Sequence, residues 1–504
     1  MRVNTWIGGI LELSSKVRYG ITTRGAPIFR FIPYDRSLGP FAVGCSQRNV
    51  FYNVHAIVES KEEETPKRTN ELPKANLVQI LGTPTAESEL AVLMATYAFD
   101  SKKELRKHAI QTISSIQDVS LENRTRLEGI TFHIDPPGCK DVDDSFTFLK
   151  TEKGWTISIN IADVAAYVEE GTPLDQMAKA KATSFYSPTG VSLAPMLPPE
   201  VEEIASLLPG KDKLTVSLQF DWIPGLPGLP GLPGLPDQSI NFRWIQTITH
   251  TTTSYTYDEA NSQLSSSEHL QALKEFTQSS DSHKWVETMM ILYNTHAGEK
   301  LRELGCGILR THSIPQQEKL EAWTQIDPDL AFLAYDSATF INANTTKEIH
   351  HYGLSLGTYA YASSPIRRYC DLVNQRILKG DIKSPSDIPE SLINDLNRRQ
   401  KQAKAFSRDL FFMTALKTHD GEAKETKEAK EAKEAKETVI GTVVSVSSSN
   451  DSFKVYVPVW KRVVKVRAIQ RPLLEIKTKV SLTWYDDMKT PFWKDRIVFS
   501  TEAL

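Results

Sequence analysis

Apolar and polar residues alternate with a period of two in several short stretches, as in strands with one buried face. The clearest pair is Ile130-Thr131-Phe132-His133-Ile134 and Ser145-Phe146-Thr147-Phe148-Leu149. Near the start, Gly9-Ile10-Leu11-Glu12-Leu13, Tyr19-Gly20-Ile21-Thr22 and Ile28-Phe29-Arg30-Phe31-Ile32 read as strands, with aromatics and arginines interleaved. Near the end the same holds for 439–444 and for Phe453-Lys454-Val455-Tyr456-Val457. A helical period predicts helices over 86–118, with Leu90, Leu93, Met94, Tyr97 and Ala98 on one side, and over 283–304, with Val286, Met289, Met290 and Tyr293 at core spacing. Residues 59–75 are charged and loop-like, and read as a linker. Two low-complexity inserts stand apart. Four Gly-Leu-Pro triplets run from Gly225 to Pro236, too few to hold a triple helix. Residues 422–437 repeat Glu-Ala-Lys, the composition of a semi-rigid helical spacer.

Between the two central strands lies His133-Ile134-Asp135-Pro136-Pro137-Gly138-Cys139-Lys140-Asp141-Val142-Asp143-Asp144. Four carboxylates so close repel one another and resist ionising together unless cations neutralise them. All-oxygen clusters suit hard divalent ions, Mg2+ first, which commonly serve phosphate hydrolysis or transfer. The bland reading is turn chemistry and solvated charge, and Pro136-Pro137-Gly138 is turn-like. The flanking strands, however, supply a rigid scaffold that can aim the acids. A calcium loop with Asp141, Asp143, Ser145 and Glu152 fails at its sixth position, which requires glycine and here is Phe146.

A second constellation follows some 220 residues later: His351-Tyr352-Gly353-Leu354, then Tyr359-Ala360-Tyr361-Ala362-Ser363-Ser364-Pro365-Ile366-Arg367-Arg368-Tyr369, then Asp371-Leu372 and Arg376. Pro365 is suited to a helix start, and Ser363 or Ser364 to its cap. A capped helix with surface arginines is the plain reading. A guanidinium fork near a helix N-terminus is also suited to gripping phosphate oxygens. Together the anionic cluster and the cationic clamp point to phosphodiester chemistry.

These motifs resemble those of the RNase II family of exoribonucleases, whose catalytic RNB domain carries an Ile-Asp-Pro…Asp-x-Asp-Asp run and a later Ser-Pro-Ile-Arg-Arg-Tyr-x-Asp-Leu segment. Ile159-Asn160-Ile161-Ala162-Asp163-Val164, Tyr186-Ser187-Pro188, Pro195-Met196-Leu197-Pro198 and 207–213 continue the resemblance, which covers roughly 124–380. It implies an α+β fold in which a central RNB catalytic domain is flanked by OB-type β-barrels. The domains expected are an N-terminal barrel and linker (1–75), a helical connector (76–123), the RNB domain (124–415), a spacer (416–437) and a C-terminal OB-type barrel (438–504). The first segment is short for the two cold-shock barrels many relatives carry, so one partial or divergent barrel is expected. Trp460, Trp484 and Trp493 read as barrel core or as stacking surfaces.

By the same resemblance, Asp135, Asp141, Asp143 and Asp144 would hold one or two Mg2+ ions, with Mn2+ as an alternative. Asp143 would be the acid most directly tied to catalysis, and Arg367 the catalytic arginine. Arg368 would grip phosphate, Tyr186 would pack on the 3′-terminal nucleotide, and Tyr257 would be a further RNA contact. The implied activity is hydrolysis of single-stranded RNA from the 3′ end, releasing nucleoside 5′-monophosphates. Three departures bear on the grip of terminal nucleotides: Ala362 where the family often has Phe, Gln375 where His commonly precedes Arg376, and no aromatic in Leu304-Gly305-Cys306-Gly307.

Composition changes this picture little. At 504 residues, 40% hydrophobic and 24% charged, the chain has room for two to four ordinary globular domains. No run of roughly 18 apolar residues predicts a membrane span. Four scattered cysteines without a Cys-x-x-Cys pair argue against structural zinc and a disulfide framework. An intracellular, cytoplasmic monomer with single-stranded RNA as partner and no membrane association is expected. The net charge of −3 conceals basic ends around an acidic middle, a distribution suited to gathering a polyanion. Two other functions stay open: a catalytically inactive RNB-type RNA-binding protein, and a metal-dependent nuclease acting on DNA or internally in RNA. The 2′-hydroxyl contacts that discriminate RNA are not legible in a motif.

Overall fold

A computed structural model describes residues 5–47, 51–60, 71–97, 119, 121–225, 240–384, 388–417, 438–447, 452–467, 474–486 and 497–504. The Glu-Ala-Lys repeat, all but the first residue of the Gly-Leu-Pro triplets, the expected helix beyond Tyr97, and Trp493 lie outside these residues. The chain divides into two compact units. One comprises 1–100, 316–334 and 404–504, the other 101–315 and 335–403.

The first unit opens with β1 (Thr5–Leu11), β2 (Ile28–Pro33), β3 (Phe41–Gly44), β4 (Val54–Ser60) and β5 (Lys74–Gly82). They close into a barrel in the order β1-β2-β3-β5-β4, with β3 parallel to β5 and the other pairs antiparallel. Alternation places Phe29 and Phe31 in the core with Leu11, Val43 and Val58, while Arg30 faces outward. Where one partial or divergent barrel is expected, the structure has a single closed one. Two expectations are corrected here. The stretch 59–75 begins at the end of β4 and finishes in β5, so both ends of the supposed linker belong to the barrel. Residues 19–22 form only an isolated bridge, Ile21 to Pro27.

The helix Ala86–Tyr97 buries Leu93 of the expected side together with Ser88, Glu89 and Val92, and leaves Leu90, Met94 and Tyr97 only half-buried. Two contacts set that face. His55 Nδ1 lies 2.8 Å from Ser88 Oγ. At Gly8 a Cβ would stand 2.3 Å from the carbonyl oxygen of Val92, so only glycine lets β1 and the helix approach this closely.

The second unit is built on seven strands: β6 (Thr125–Arg126), β7 (Ile130–Ile134), β8 (Asp144–Lys150), β9 (Trp155–Ala162), and, after the short ribbon β10 (Phe185–Tyr186) and β11 (Ser192–Ala194), β12 (Asp212–Trp222), β13 (Arg243–His250) and β14 (Thr253–Tyr255). Their order is β14-β7-β8-β9-β12-β13-β6, antiparallel but for the two edge pairs. One face presents Phe132, Phe146, Phe148, Ile159, Phe220 and Trp222 to the helices Glu268–Thr277 and Ser282–Leu304, through Phe276, Trp285, Met289 and Tyr293. The other face is polar and buried. Its hydroxyls satisfy one another: Thr131 to Thr147 at 2.8 Å, Ser217 to Asn160 at 2.8 Å, and Thr215 to Thr247 at 2.6 Å.

A second core gathers Val142, Val164, Leu174, Leu197 and Leu207 with Ile366, Leu372 and Ile377, the last two from the helix Tyr369–Lys379. Buried ions pin this region. Asp163 accepts from Arg124 Nη2 at 2.5 Å and from Lys379 Nζ at 3.0 Å, and Asp175 from Arg376 Nη2 at 2.8 Å. The small ribbon β15 (Ile308–Thr311) and β16 (Thr339–Asn342) completes the unit.

The first unit resumes with β17 (Val439–Val446), β18 (Ser452–Val457), β19 (Arg462–Arg467), β20 (Lys479–Asp486) and β21 (Ile497–Ala503). Their order, β19-β18-β17-β20-β21, repeats the connectivity of the N-terminal barrel cut between its third and fifth strands. Both are OB-type arrangements. Trp460 is core here, edge-on to Phe412 and Trp484. Among the described residues no helix is long and apolar enough to cross a membrane.

Candidate active site

The acid run is a loop fastened at both ends and in the middle. Asp135 N donates to Tyr255 O at 3.0 Å, prolonging the pairing of β7 with β14. Cys139 N closes the Pro136-Pro137-Gly138 turn on Pro136 O at 3.2 Å, and Gly138 takes a φ of 75°. Val142 is fully buried, its N held by Ser206 Oγ at 2.9 Å. The Asp143 carbonyl accepts from Ala162 N at 2.9 Å, and Asp144 opens β8. The carboxylates therefore hang at the ends of two interior strands, β7 and β8, with little backbone freedom.

The arginine motif meets this loop. Ile366 N donates to Asp143 Oδ1 at 2.8 Å, and Arg367 Nε donates to Asp143 Oδ2 at 3.2 Å. Arg367 Nη2 reaches Ser364 Oγ at 3.0 Å, and Arg368 Nη2 donates to Asp371 Oδ1 at 2.7 Å. No helix starts at Pro365, contrary to the sequence reading. The amides of Arg367 and Arg368 close a turn on Ser364 O, and Arg368 is the extended residue before the helix Tyr369–Lys379. Ser364 caps nothing. Its own N–H is taken by Asp371 Oδ1 at 2.9 Å, which makes Asp371 the tie between the turn and the helix.

Burial shapes the electrostatics. Asp143, only 3% exposed, is pushed up to about 7 by burial, which the Arg367 guanidinium partly offsets. Burial, then Asp135 and Asp143, hold the Asp144 carboxyl well above the usual range. Asp144 Oδ2 is buried without a hydrogen-bond partner. The Tyr186 hydroxyl donates to Asp141 Oδ2, and burial followed by that carboxylate drives its pKa up. Tyr257 is pushed up to about 12 by burial, then by Asp135 and Asp144. One face of its ring is covered by His283, stacked at 3.8 Å and 7°. All eight residues singled out in the sequence thus fall in one electrostatic neighbourhood.

Sequence reasoning missed Glu202. On the helix Pro199–Ala205, it is pushed up to about 7 by burial, then by Asp141 and Asp143, and its Oε1 is buried without a partner. Nothing in Pro-Glu-Val-Glu-Glu distinguishes this acid from its solvated neighbours. The departures from the family pattern have local explanations. Gln375 bridges Ala165 N (3.0 Å) and Ala162 O (2.8 Å), holding the end of β9. Ala362 is core, its N donating to Asn294 Oδ1 at 2.9 Å. Cys306 is buried beyond Gly305, which ends the preceding helix at a φ of 64°.

The donor set suits a hard divalent cation. Carboxylates crowd together, two are driven toward protonation, and one buried oxygen is left without a donor, all of which a cation would relieve. Among the described residues, however, no three His, Cys, Asp or Glu side chains are gathered as ligands around one point. Asp143 has both oxygens engaged by Ile366 and Arg367.

Comparison with known proteins shows the family and the fold. The model of the RNB domain matches residues 124–271 and 246–383, just over half of the chain. The chain belongs to the RNB family. It is 24% identical over 414 residues to Ribonuclease R of Buchnera aphidicola (subsp. Acyrthosiphon pisum), covering 65% of this chain and 55% of that protein. It spans about half the length of such curated relatives. Among solved structures, the apo form of Mycoplasma genitalium RNase R shares the fold with a TM-score of 0.71 at 15% identity, over 99% of this chain and 90% of that one. Yeast Ssd1, described as a pseudonuclease, shares it with a TM-score of 0.67 at 17% identity, over 96% and 68%.

Proposed function

We propose that this protein is an exoribonuclease that hydrolyses single-stranded RNA from the 3′ end and releases nucleoside 5′-monophosphates with the help of Mg2+, or Mn2+ in its place. The observation that carries the reading is the clamp of Ile366 N and Arg367 Nε on Asp143, which joins the two motifs across 224 residues. An anionic cluster and a cationic fork brought together match the needs of a phosphodiester, which must be both gripped and attacked.

Asp135, Asp141, Asp143 and Asp144 would hold the cation. Bound there, it would supply charge neutralisation for the phosphate and ionisation of water at neutral pH. The protein's own residues do the rest. Asp143 at Nε and Ser364 Oγ at Nη2 together fix the plane of Arg367, whose side chain is still 44% exposed and can turn its remaining N–H donors to the scissile phosphate. Arg368, held by Asp371, grips a neighbouring phosphate oxygen. Tyr186, tethered by its hydroxyl to Asp141, offers its ring to the terminal base. Stacking of this type contributes about 1–3 kcal/mol per base without sequence preference. Ladders from 3′-labelled and 5′-labelled strands of RNA and DNA test polarity and sugar preference. Loss of label as mononucleotide from the 3′ end of RNA alone is expected. Internal cuts, or equal action on DNA, would replace this reading. RNA bound but never cut would make the protein a binding module, the role consistent with a fold that a pseudonuclease also adopts.

A further inference from the structure

Tyr361 carries two guanidiniums on its ring. Arg368 Cζ lies 4.0 Å from the ring centroid and Arg310 Cζ lies 4.8 Å from it. Arg310 is 3% exposed, and its guanidinium rests between neutral groups. It also lies over Phe340 at 4.8 Å and donates to Gln400 Oε1 at 2.6 Å. The ring itself is locked edge-on by Phe340 (5.9 Å, 74°) and Tyr359 (6.0 Å, 79°). Its backbone is tied to the helix that follows Arg368, because Tyr361 O accepts from Asn374 Nδ2 at 2.8 Å.

Arg368 is thus held from two directions. The Asp371 carboxylate takes an N–H of Nη2 at 2.7 Å, with Ser363 Oγ 3.5 Å from the same nitrogen, and the face of the Tyr361 ring lies under Cζ. A carboxylate at a single nitrogen leaves the guanidinium free to swing about that contact. A ring under the plane removes that freedom and aims the other donors. We propose that Tyr361, backed by Arg310, is a positioning residue that fixes the guanidinium plane of Arg368 for a phosphate oxygen of bound RNA. This rests on the assignment of Arg368 to phosphate given above. Core packing alone would make any apolar residue of similar volume serve as well.

The test is a double-mutant cycle in the Asp143→Asn protein, so that hydrolysis does not intervene. Equilibrium binding of a fluorescent single-stranded oligoadenylate is measured, with thermal midpoints recorded alongside. Tyr361→Leu should weaken binding about tenfold and Tyr361→Phe about twofold at most. On top of Arg368→Met, Tyr361→Leu should cost nothing further, since no guanidinium remains to be aimed. Losses that simply add, or equal losses for Phe and Leu, would overturn the proposal and leave Tyr361 as core. If Tyr361→Leu does not fold, Tyr361→Met enters the same cycle. Failure of the parent protein to bind RNA would instead overturn the RNA reading itself, and this inference with it.

Discussion

Arg367 Nε and Asp143 Oδ2 meet at 3.2 Å, and each solves a problem of the other. The carboxylate is buried on a loop already crowded with acids, and the guanidinium offsets part of what burial costs it. The arginine in turn is held by one edge, with its remaining donors free for a phosphate.

That division of labour predicts the behaviour of Arg367→Met. Removing a donor aimed at developing charge should lower kcat roughly 10²–10³-fold, with a smaller change in KM. Single-turnover and steady-state measurements on the same RNA separate the two. A change confined to KM would mean that Arg367 only binds.

Gly8→Ala should destabilise the N-terminal barrel and its helix by roughly 1–3 kcal/mol, because the added carbon meets the Val92 carbonyl at 2.3 Å. Thermal unfolding followed by circular dichroism, compared with the parent protein, checks this. An unchanged midpoint would show that strand and helix do not approach as described.

Two ion pairs should behave differently. Asp175→Ala strands Arg376 in the core, where only 3% of its side chain is exposed, and should cost about 3–5 kcal/mol. Glu268→Gln breaks a pair with Lys150 in which both partners are exposed, and should cost about 0–1 kcal/mol. Denaturant unfolding that ranks the two equally would contradict the burial assigned to Asp175.

Acid should weaken the fold through His351. Burial, then the neighbouring His312 and Arg310, lower its pKa from 6.5 to about 4. Between those values the unfolded chain takes up a proton that the folded chain refuses, so stability falls as pH drops from 6.5 toward 4 and is unaffected above it. His351→Gln should flatten this part of the dependence of the thermal midpoint on pH. An identical pH dependence in the variant would rule out the assignment.

Much of the fold was legible because alternation is a physical requirement of a half-buried strand. The strands 130–134 and 145–149 fall where Phe132, Phe146 and Phe148 demand a common face. Charge misled at the two ends of 59–75, where Glu59 and Ser60 close β4 and Lys74 and Ala75 open β5, since a strand's solvent face and a linker share the same composition. The helix Ala86–Tyr97 buries Ser88 and Val92 beside Leu93 because Gly8 and His55, far off in sequence, decide its buried side. In the site, acids and arginines were legible as motifs, whereas their supports were not. Asp371, Gln375 and Arg310 act through contacts with residues distant in sequence or through a turn mistaken for a helix. Glu202 became visible only once its surroundings were known.

The most direct measurement is degradation of a 5′-labelled single-stranded RNA with Mg2+, comparing the protein with its Asp143→Asn variant and with a chelator-treated sample. A ladder or short end product that vanishes with either Asp143 or the metal, while RNA binding by the variant persists, is the predicted result. Equal degradation by the Asp143→Asn variant, or none by the intact protein in Mg2+ despite bound RNA, would contradict it.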